Sequence, residues 1–280
     1  MIRVATWNMA GAALEYLGVG LAGITQKIIK DGFDFCSLQE VNQDACPVEG
    51  NPLSSANFPR YMEAELIKAG RIGGNGRATG EAFFTAANIE DAKMEGWPPR
   101  TYGNCILSTR HLLRHKLSFQ LDGPDVPPNT PEWGKDIRIL QLAQVRSEGP
   151  ALWVANTHLS ATANDTVVDY QARNIVILIN KFVPEDASVI LNGDFNNMLD
   201  GFALDSLCKA FDCHTRDAGP TFPLNRADPD VVPNRGIDHI FTRHMKVNTV
   251  SVECLRELSD HAVVIADMEP VRPKRIFDIA

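Results

Sequence analysis

Short apolar runs, most of them closing on polar residues, alternate along this chain with a few stretches of helical period. The runs read as strands over Ile2–Asn8, Phe33–Glu40, Asn104–Ser108, Lys116–Leu121 and Ile137–Arg146. Further strands are expected over Ala151–Thr157, Ser188–Asn192, Gly236–Thr242, Val247–Cys254 and Ala262–Met268. Leu21–Lys30 reads as a helix, with Gly32 placed to cap its C-terminus. In Asp165–Phe182, the spacing of Val168, Ala172, Ile175, Ile179 and Phe182 lays one apolar stripe along a helix. Gly201–Phe211 is a shorter helical candidate, while Ala45–Pro59 and Asp122–Trp133 read as long loops. Strands interspersed with helices, with no repeat and no break in composition, predict one α/β domain over residues 1–280, built on two packed sheets.

The ends of the strands share a chemistry. They carry Trp7-Asn8, Gln39-Glu40, Thr157-His158, Asp194-Phe195-Asn196, Asp238-His239 and Asp260-His261. A strand end leaves the sheet, so polar groups there can be presented without burying charge in the core. Collected at one edge, these residues would form a single polar site. Carboxylate and amide oxygens suit Mg²⁺ or Mn²⁺ better than a closed zinc site, and histidines beside carboxylates suit proton transfer. Together they suit metal-assisted hydrolysis of a phosphate ester.

Composition narrows the partners. Asp and Glu number 35 against 27 Lys and Arg, a formal charge of −8. That balance argues against tight non-specific binding of nucleic acid, which draws on basic residues. It leaves open an enzyme that meets a phosphate through a metal ion. The N-terminal segment lacks a signal-peptide pattern, and no window is apolar enough to span a membrane, so a cytoplasmic protein is expected. A delivered effector without a cleavable signal would look the same. The six cysteines contain no C-x-x-C pair, and Cys36 and Cys105 lie in apolar runs where buried reduced thiols are expected. Nothing in the sequence calls for an obligate protein partner.

The ordered set WNMAG, SLQEV, YGNCILS, NTHLS, LNGDFNN, GIDHIF and LSDHAVV resembles the endonuclease/exonuclease/phosphatase superfamily, the deoxyribonuclease-I-like metal-dependent phosphoesterases. The resemblance runs from Trp7 to His261. It implies a four-layer α/β sandwich, with two mixed β-sheets packed face to face and helices outside. It also implies a Mg²⁺ or Mn²⁺ cofactor at Asn8, Glu40 and Asp260, with Glu40 as the direct carboxylate ligand. By the same resemblance, His261 pairs with Asp238, Asp194 and Asn196 orient the nucleophile and a phosphoryl oxygen, and His158 stands near the leaving oxygen. The expected activity is hydrolysis of a P–O bond in a small phosphorylated molecule, a lipid headgroup or DNA. A deoxyribonuclease-like endonuclease is the alternative. An inactive homologue kept for binding is disfavoured, because none of the main positions is lost.

Two departures refine the expectation. Deoxyribonuclease I has a glutamate supporting the histidine equivalent to His158, and this chain has Asn104 there. An amide can orient the ring but cannot stabilise an imidazolium as a carboxylate would. Asn104 is therefore a candidate substrate contact, and the GN-x-ILS form is closer to the phosphodiesterase and phosphatase branches. Abasic-site endonucleases differ from Met9-Ala10-Gly11, Val41 and His158, which disfavours that activity.

Other features have bland readings. His239 follows Asp238 on the opposite face of a strand and reads as structural. His111 and His115 suit a solvated turn, and Cys208, Cys213 and His214 lack a fourth ligand for zinc. The segment Gly70–Gly80 carries Arg71 and Arg77 among five glycines. It reads either as a hairpin tip or as a substrate-facing loop whose arginines meet a further phosphate.

Overall fold

A computed structural model describes residues 1–10, 20–44, 58–70, 80–90, 100–121, 137–146, 149–225, 228 and 230–271. In chain order the first half holds β1 (Ile2–Asn8), α1 (Gly20–Asp31), β2 (Phe35–Asp44), α2 (Phe58–Lys68), β3 (Glu81–Glu90) and β4 (Arg100–Ser108). There follow β5 (Leu113–Leu121), β6 (Arg138–Val145), β7 (Leu152–His158), α3 (Asp165–Phe182) and β8 (Ser188–Asp194). The last elements are α4 (Asp205–Ala210), β9 (Asp212–Cys213), β10 (Asp238–Arg243), β11 (Met245–Glu253) and β12 (Val263–Pro270).

The strands form two six-stranded sheets, ordered β11-β12-β1-β2-β4-β3 and β5-β6-β7-β8-β10-β9. Each is mixed, with one parallel pair: β1 with β2 in the first sheet and β7 with β8 in the second. A parallel pair needs a crossover, and the crossovers carry α1 and α3.

Alternation along the strands sorts apolar side chains into three cores. Val4, Phe35 and Ile106 of the first sheet meet Val154, Ile190 and Ile240 of the second between the sheets. Trp7, Cys36, Leu38 and Cys105 face the other way, onto Ile24 and Ile28 of α1 and Met62 of α2. Leu142, Ala155, Leu191 and Phe241 pack under Val168, Ala172, Ile175 and Ile179 of α3. The expected four-layer sandwich is the observed architecture. Among the described residues, no helix is long and apolar enough to cross a membrane.

Several elements match the sequence reading in detail. α3 has the predicted limits, starts on an Asn164 side chain that accepts from the Thr166 N–H, and buries the predicted stripe as far as Ile179. Phe182 is partly exposed and stacks on Phe119. Gly32 has φ +68° and donates to the Ile28 carbonyl, the expected cap. Cys36 and Cys105 are buried and free. Other elements differ. The helix expected over Gly201–Phe211 is regular only over Asp205–Ala210. Pro59, expected in a loop, lies in the first turn of α2, where its missing N–H costs nothing. α2 and β3 were not expected, although Phe58, Met62 and Leu66 are buried at a spacing of four. The loop expected over Asp122–Trp133 lies outside the described residues.

Toward one edge of the sandwich the inter-sheet core becomes polar. Asn156 of β7 donates to the carbonyls of Leu38 (3.0 Å) and Cys105 (3.2 Å) and to Gln141 Oε1 (3.1 Å). It accepts from Gln39 Nε2 at 2.8 Å. Leu38 and Cys105 form the last pair before the β2–β4 register shifts, with Gln39 and Glu40 both facing Asn104. This is a β-bulge, and Glu40 takes a left-handed φ of +55° within it. Asn156 thus satisfies carbonyls beside the bulge from the opposite sheet.

His239, on the outer face of β10, is buried between Phe195 and Phe241. Its Nε2 donates to the Asn197 carbonyl (2.9 Å), so Nδ1 accepts from the Thr215 hydroxyl (2.8 Å). This neutral form is the buried one, and burial lowers the His239 pKa from 6.5 to about 4.

Two outcomes are expected. A Cβ on Gly193 would lie 2.9 Å from Thr157 Cγ2 and closer still to its carbonyl oxygen. Gly193→Ala should therefore cost about 1–3 kcal/mol in urea unfolding, by prising β7 from β8. The unfolded chain protonates His239 more readily than the folded chain, so its neutral burial favours folding fully above pH 6.5. That advantage is lost as pH falls from 6.5 toward 4. Wild type should lose about 3 kcal/mol more than His239→Gln over this range, read by paired urea titrations.

Candidate active site

Three strands of the second sheet end side by side. The parallel register of β7 and β8 sets His158 opposite Asp194, and the antiparallel register of β8 and β10 sets Asp238 opposite Asp194. The first sheet contributes Asn8 from the end of β1, Glu40 from the bulge of β2, and His261 from the turn before β12.

The Asp194 carboxylate joins these groups. Its Oδ1 accepts from the Asn196 N–H at 2.8 Å. Its Oδ2 accepts from Asn8 Nδ2 at 2.9 Å and lies 3.5 Å from His158 Nε2 and 3.8 Å from His261 Nε2. Asn8 Nδ2 also donates to Glu40 Oε1 at 3.1 Å, while Asn8 Oδ1 accepts from the Ala10 N–H. The Asn8 amide therefore turns its NH₂ group to both carboxylates and holds them together. His261 Nδ1 lies 3.0 Å from Asp238 Oδ2, which fixes a proton on Nδ1.

The tautomer of His158 follows from its neighbour. Asn196 Nδ2 donates to the Leu159 carbonyl (3.0 Å) and lies 3.0 Å from His158 Nε2. The amide nitrogen can only donate, so Nε2 accepts and the proton of a neutral ring sits on Nδ1. Nδ1 is buried and has no partner among the described residues.

The electrostatics follow from burial and like charge. Burial and the nearby Asp238 charge raise the Asp194 pKa to about 7. Burial opposes charging of His261, but the Asp238 and Asp194 carboxylates outweigh it and raise its pKa to about 10. His158 goes the other way. Burial, with the Arg138 and His261 cations, drives its pKa well below the ordinary value, and it is neutral at pH 7. Asp194, Asp238 and His261 each bring a ligand atom within 4.8 Å of the others. Asp238 Oδ1 is buried with no partner among the described residues, an orphan acceptor that a cation would satisfy.

The fold thus brings together Asn8, Glu40, His158, Asp194, Asn196, Asp238 and His261. Asp260 stands beside them, exposed at the rim, although partial enclosure of its carboxyl raises its pKa. Asn104 is buried opposite the bulge, but its Nδ2 and His158 Nδ1 are both without partners, so the amide does not support the ring. Arg71 and Arg77 lie outside the described residues. A cleft of about 300 Å³ lined by Met198, Thr215, Arg216 and His239 opens on the outer face of β10, away from Asp238.

Sequence reasoning named Ser259 only as part of the run Ser259-Asp260-His261 and did not single out Thr221, Phe222 or Arg235. The Ser259 hydroxyl donates to the Asn8 carbonyl (2.6 Å) and accepts from the His261 N–H (3.0 Å), and its place before Asp260-His261 was the available signal. The other three come from a distant segment, and only tertiary contact reveals them.

Comparison with known proteins agrees with this fold. The chain superposes on an endonuclease/exonuclease/phosphatase from Beutenbergia cavernae DSM 12333 with a TM-score of 0.73 at 23% identity, over 96% of this chain and 72% of that one. For a mannosyl-6-phosphatase from Bacteroides thetaiotaomicron the TM-score is 0.66 at 18% identity, over 96% and 100% of the two chains. TDP2 from D. rerio, in complex with a single-strand DNA product, gives 0.64 at 17%, over 96% and 98%. These identities speak for the fold. Among curated proteins there is no significant match. The sequence profile of the Endonuclease/Exonuclease/phosphatase family matches residues 5–261, a span that holds every residue of the polar edge from Asn8 to His261, and the chain belongs to that family.

Proposed function

We propose that this protein is a divalent-metal-dependent phosphoesterase that hydrolyses a P–O bond by attack of water. The observation that carries the reading is the buried pair Asp194 and Asp238, set among two histidines and a third carboxylate, with Asp238 Oδ1 unpartnered among the described residues. His261 supplies one positive charge to Asp194, Asp238 and the nearby Glu40, and a divalent cation would offset the remainder. The oxygen donors fit Mg²⁺ or Mn²⁺. Glu40 and Asp260 would hold the ion, whereas Asn8, expected among the metal ligands, has its Oδ1 on the Ala10 N–H and would instead keep the Glu40 and Asp194 carboxylates in place. Bound there, the ion would neutralise phosphoryl charge and ease deprotonation of the attacking water.

The chain's own groups divide the remaining work. Asp194, with a pKa raised toward neutrality, is the base that takes the water proton. The water oxygen forms its bond to phosphorus, the ester P–O bond breaks with its electron pair, and the leaving oxygen takes a proton from solvent. His261, kept cationic by Asp238, stabilises the charge on the phosphoryl oxygens. His158 is neutral, with its Nε2 on the site side accepting from Asn196 beside the Asp194 carboxylate, so it lines the site and has no proton to deliver to the leaving oxygen. Asn196 holds that ring in this tautomer.

Charge leans the substrate reading away from a polynucleotide. A chain of net −8 suits a compact phosphate ester, a phosphorylated small molecule or lipid headgroup. The likeness to TDP2 bound to a DNA product makes nuclease action the second reading.

Treatment with EDTA should abolish hydrolysis, and Mg²⁺ or Mn²⁺ should restore it. Activity indifferent to both overturns the metal role. Asp194→Asn and His261→Ala should each lower kcat by about 10²–10⁴-fold, and near-wild-type rates in both would refute the assignment. A panel of sugar phosphates, phospholipid headgroups and supercoiled plasmid, assayed with Mg²⁺, separates the two substrate readings.

A further inference from the structure

The Asp238–His261 pair joins the two sheets, yet neither sheet sets its geometry. Asp238 begins β10, which pairs with β8 and β9. His261 precedes β12, which pairs with β1 and β11. No ladder runs between β10 and β12. A hydrogen bond of 3.0 Å between groups on separate sheets needs something to fix their separation.

Thr221 binds both sides. It is buried, and its hydroxyl accepts from the backbone N–H of Ile237 (3.2 Å) and Asp238 (3.3 Å). The hydroxyl proton points to the Arg235 carbonyl at 3.5 Å. On the other side, the Thr221 carbonyl accepts from the N–H of Ala262, the residue after His261, at 2.8 Å. The next residue continues the pattern. The Phe222 ring packs against the His261 imidazole, with centroids 4.6 Å apart. Phe222 and Arg235 exchange backbone hydrogen bonds as an isolated bridge. Arg235 Nη2 then reaches the Asn196 carbonyl at 3.3 Å.

The geometry points to Thr221 as a positioning residue, whose hydroxyl and carbonyl clamp Asp238 to His261 across the two sheets. It touches neither substrate nor the reacting atoms. Its effect is to hold the imidazole where the phosphoryl group meets it, and a small displacement of such a group costs rate out of proportion to its size. A purely structural threonine would also leave two buried N–H groups unsatisfied when removed, so loss of stability alone decides nothing.

The test uses ¹⁵N-histidine-labelled full-length protein, with and without Mg²⁺. The Nδ1–H proton of His261, bonded to Asp238, gives a downfield resonance, assigned by its loss in His261→Gln. In Thr221→Val the resonance should broaden or vanish. In that variant kcat should fall about 10–100-fold with KM within about 3-fold. Thr221→Ser, which keeps the hydroxyl, should restore both. If Thr221→Val does not fold, Thr221→Cys, a weaker acceptor, is read in the same way. A variant without the hydroxyl that keeps the resonance and kcat overturns the proposal, as does failure of Thr221→Ser to restore them. Only the kinetic readout rests on the phosphoesterase reading. A wild type that hydrolyses nothing in the panel refutes that reading, while the resonance still decides the role of Thr221.

Discussion

Asp194 is 1% exposed, and its carboxylate lies where the ends of the two sheets converge. A carboxylate so far from water is unfavourable unless its oxygens are occupied, and each partner it recruits comes from a different segment of the chain. Asn8 arrives from the first sheet, the Asn196 N–H from the turn beyond β8, and the two imidazoles from β7 and from the approach to β12. Satisfying this one group therefore imposes the relative placement of nearly all the others. The second buried carboxylate, Asp238, is satisfied on one side only: Oδ2 meets His261, and Oδ1 has no partner among the described residues.

The same convergence explains the polar seam beneath the site. Between two sheets an apolar interface tolerates sliding, because dispersion contacts are non-directional. Asn156, Gln39, Gln141 and Asn192 replace that tolerance with directed bonds, including Asn192 to Ser37 across the sheets. Gln39 Oε1 and Asn192 Oδ1 remain without partners among the described residues, so the seam is specific at a cost in stability. Thr221 extends the same logic to the Asp238–His261 pair.

How much of this was legible in the sequence depends on range. Asn8, Glu40, His158, Asp194 and Asp238 were visible, because each marks a change from apolar to polar residues along the chain; that Glu40 lies inside β2 and Asp238 at the start of β10 was not. α3 was visible because its stripe is periodic and its length exceeds any strand. α2 and β3 were not, since they flank segments whose composition hides a boundary. The orientation of Asn8, with its NH₂ group toward two carboxylates, was beyond reach, because it depends on an Ala10 N–H occupying the amide oxygen. So was the failure of Asn104 to meet His158, which is a matter of ångströms between strands of different sheets.

The bulge in β2 sets a limit on variation in chain length. Leu38 faces the outer core, so strict alternation would send Glu40 to that face and Val41 inward. Val41 instead lies in the outer core with Leu38, because the extra residue resets the phase of the strand. The site carboxylate is thus delivered by a counting offset of one. Substitutions within 39–41 alter chemistry, whereas deletion of one residue there would return the strand to regular pleat and withdraw the carboxylate. Along β2 it is the residue count that decides which face the Glu40 carboxylate takes.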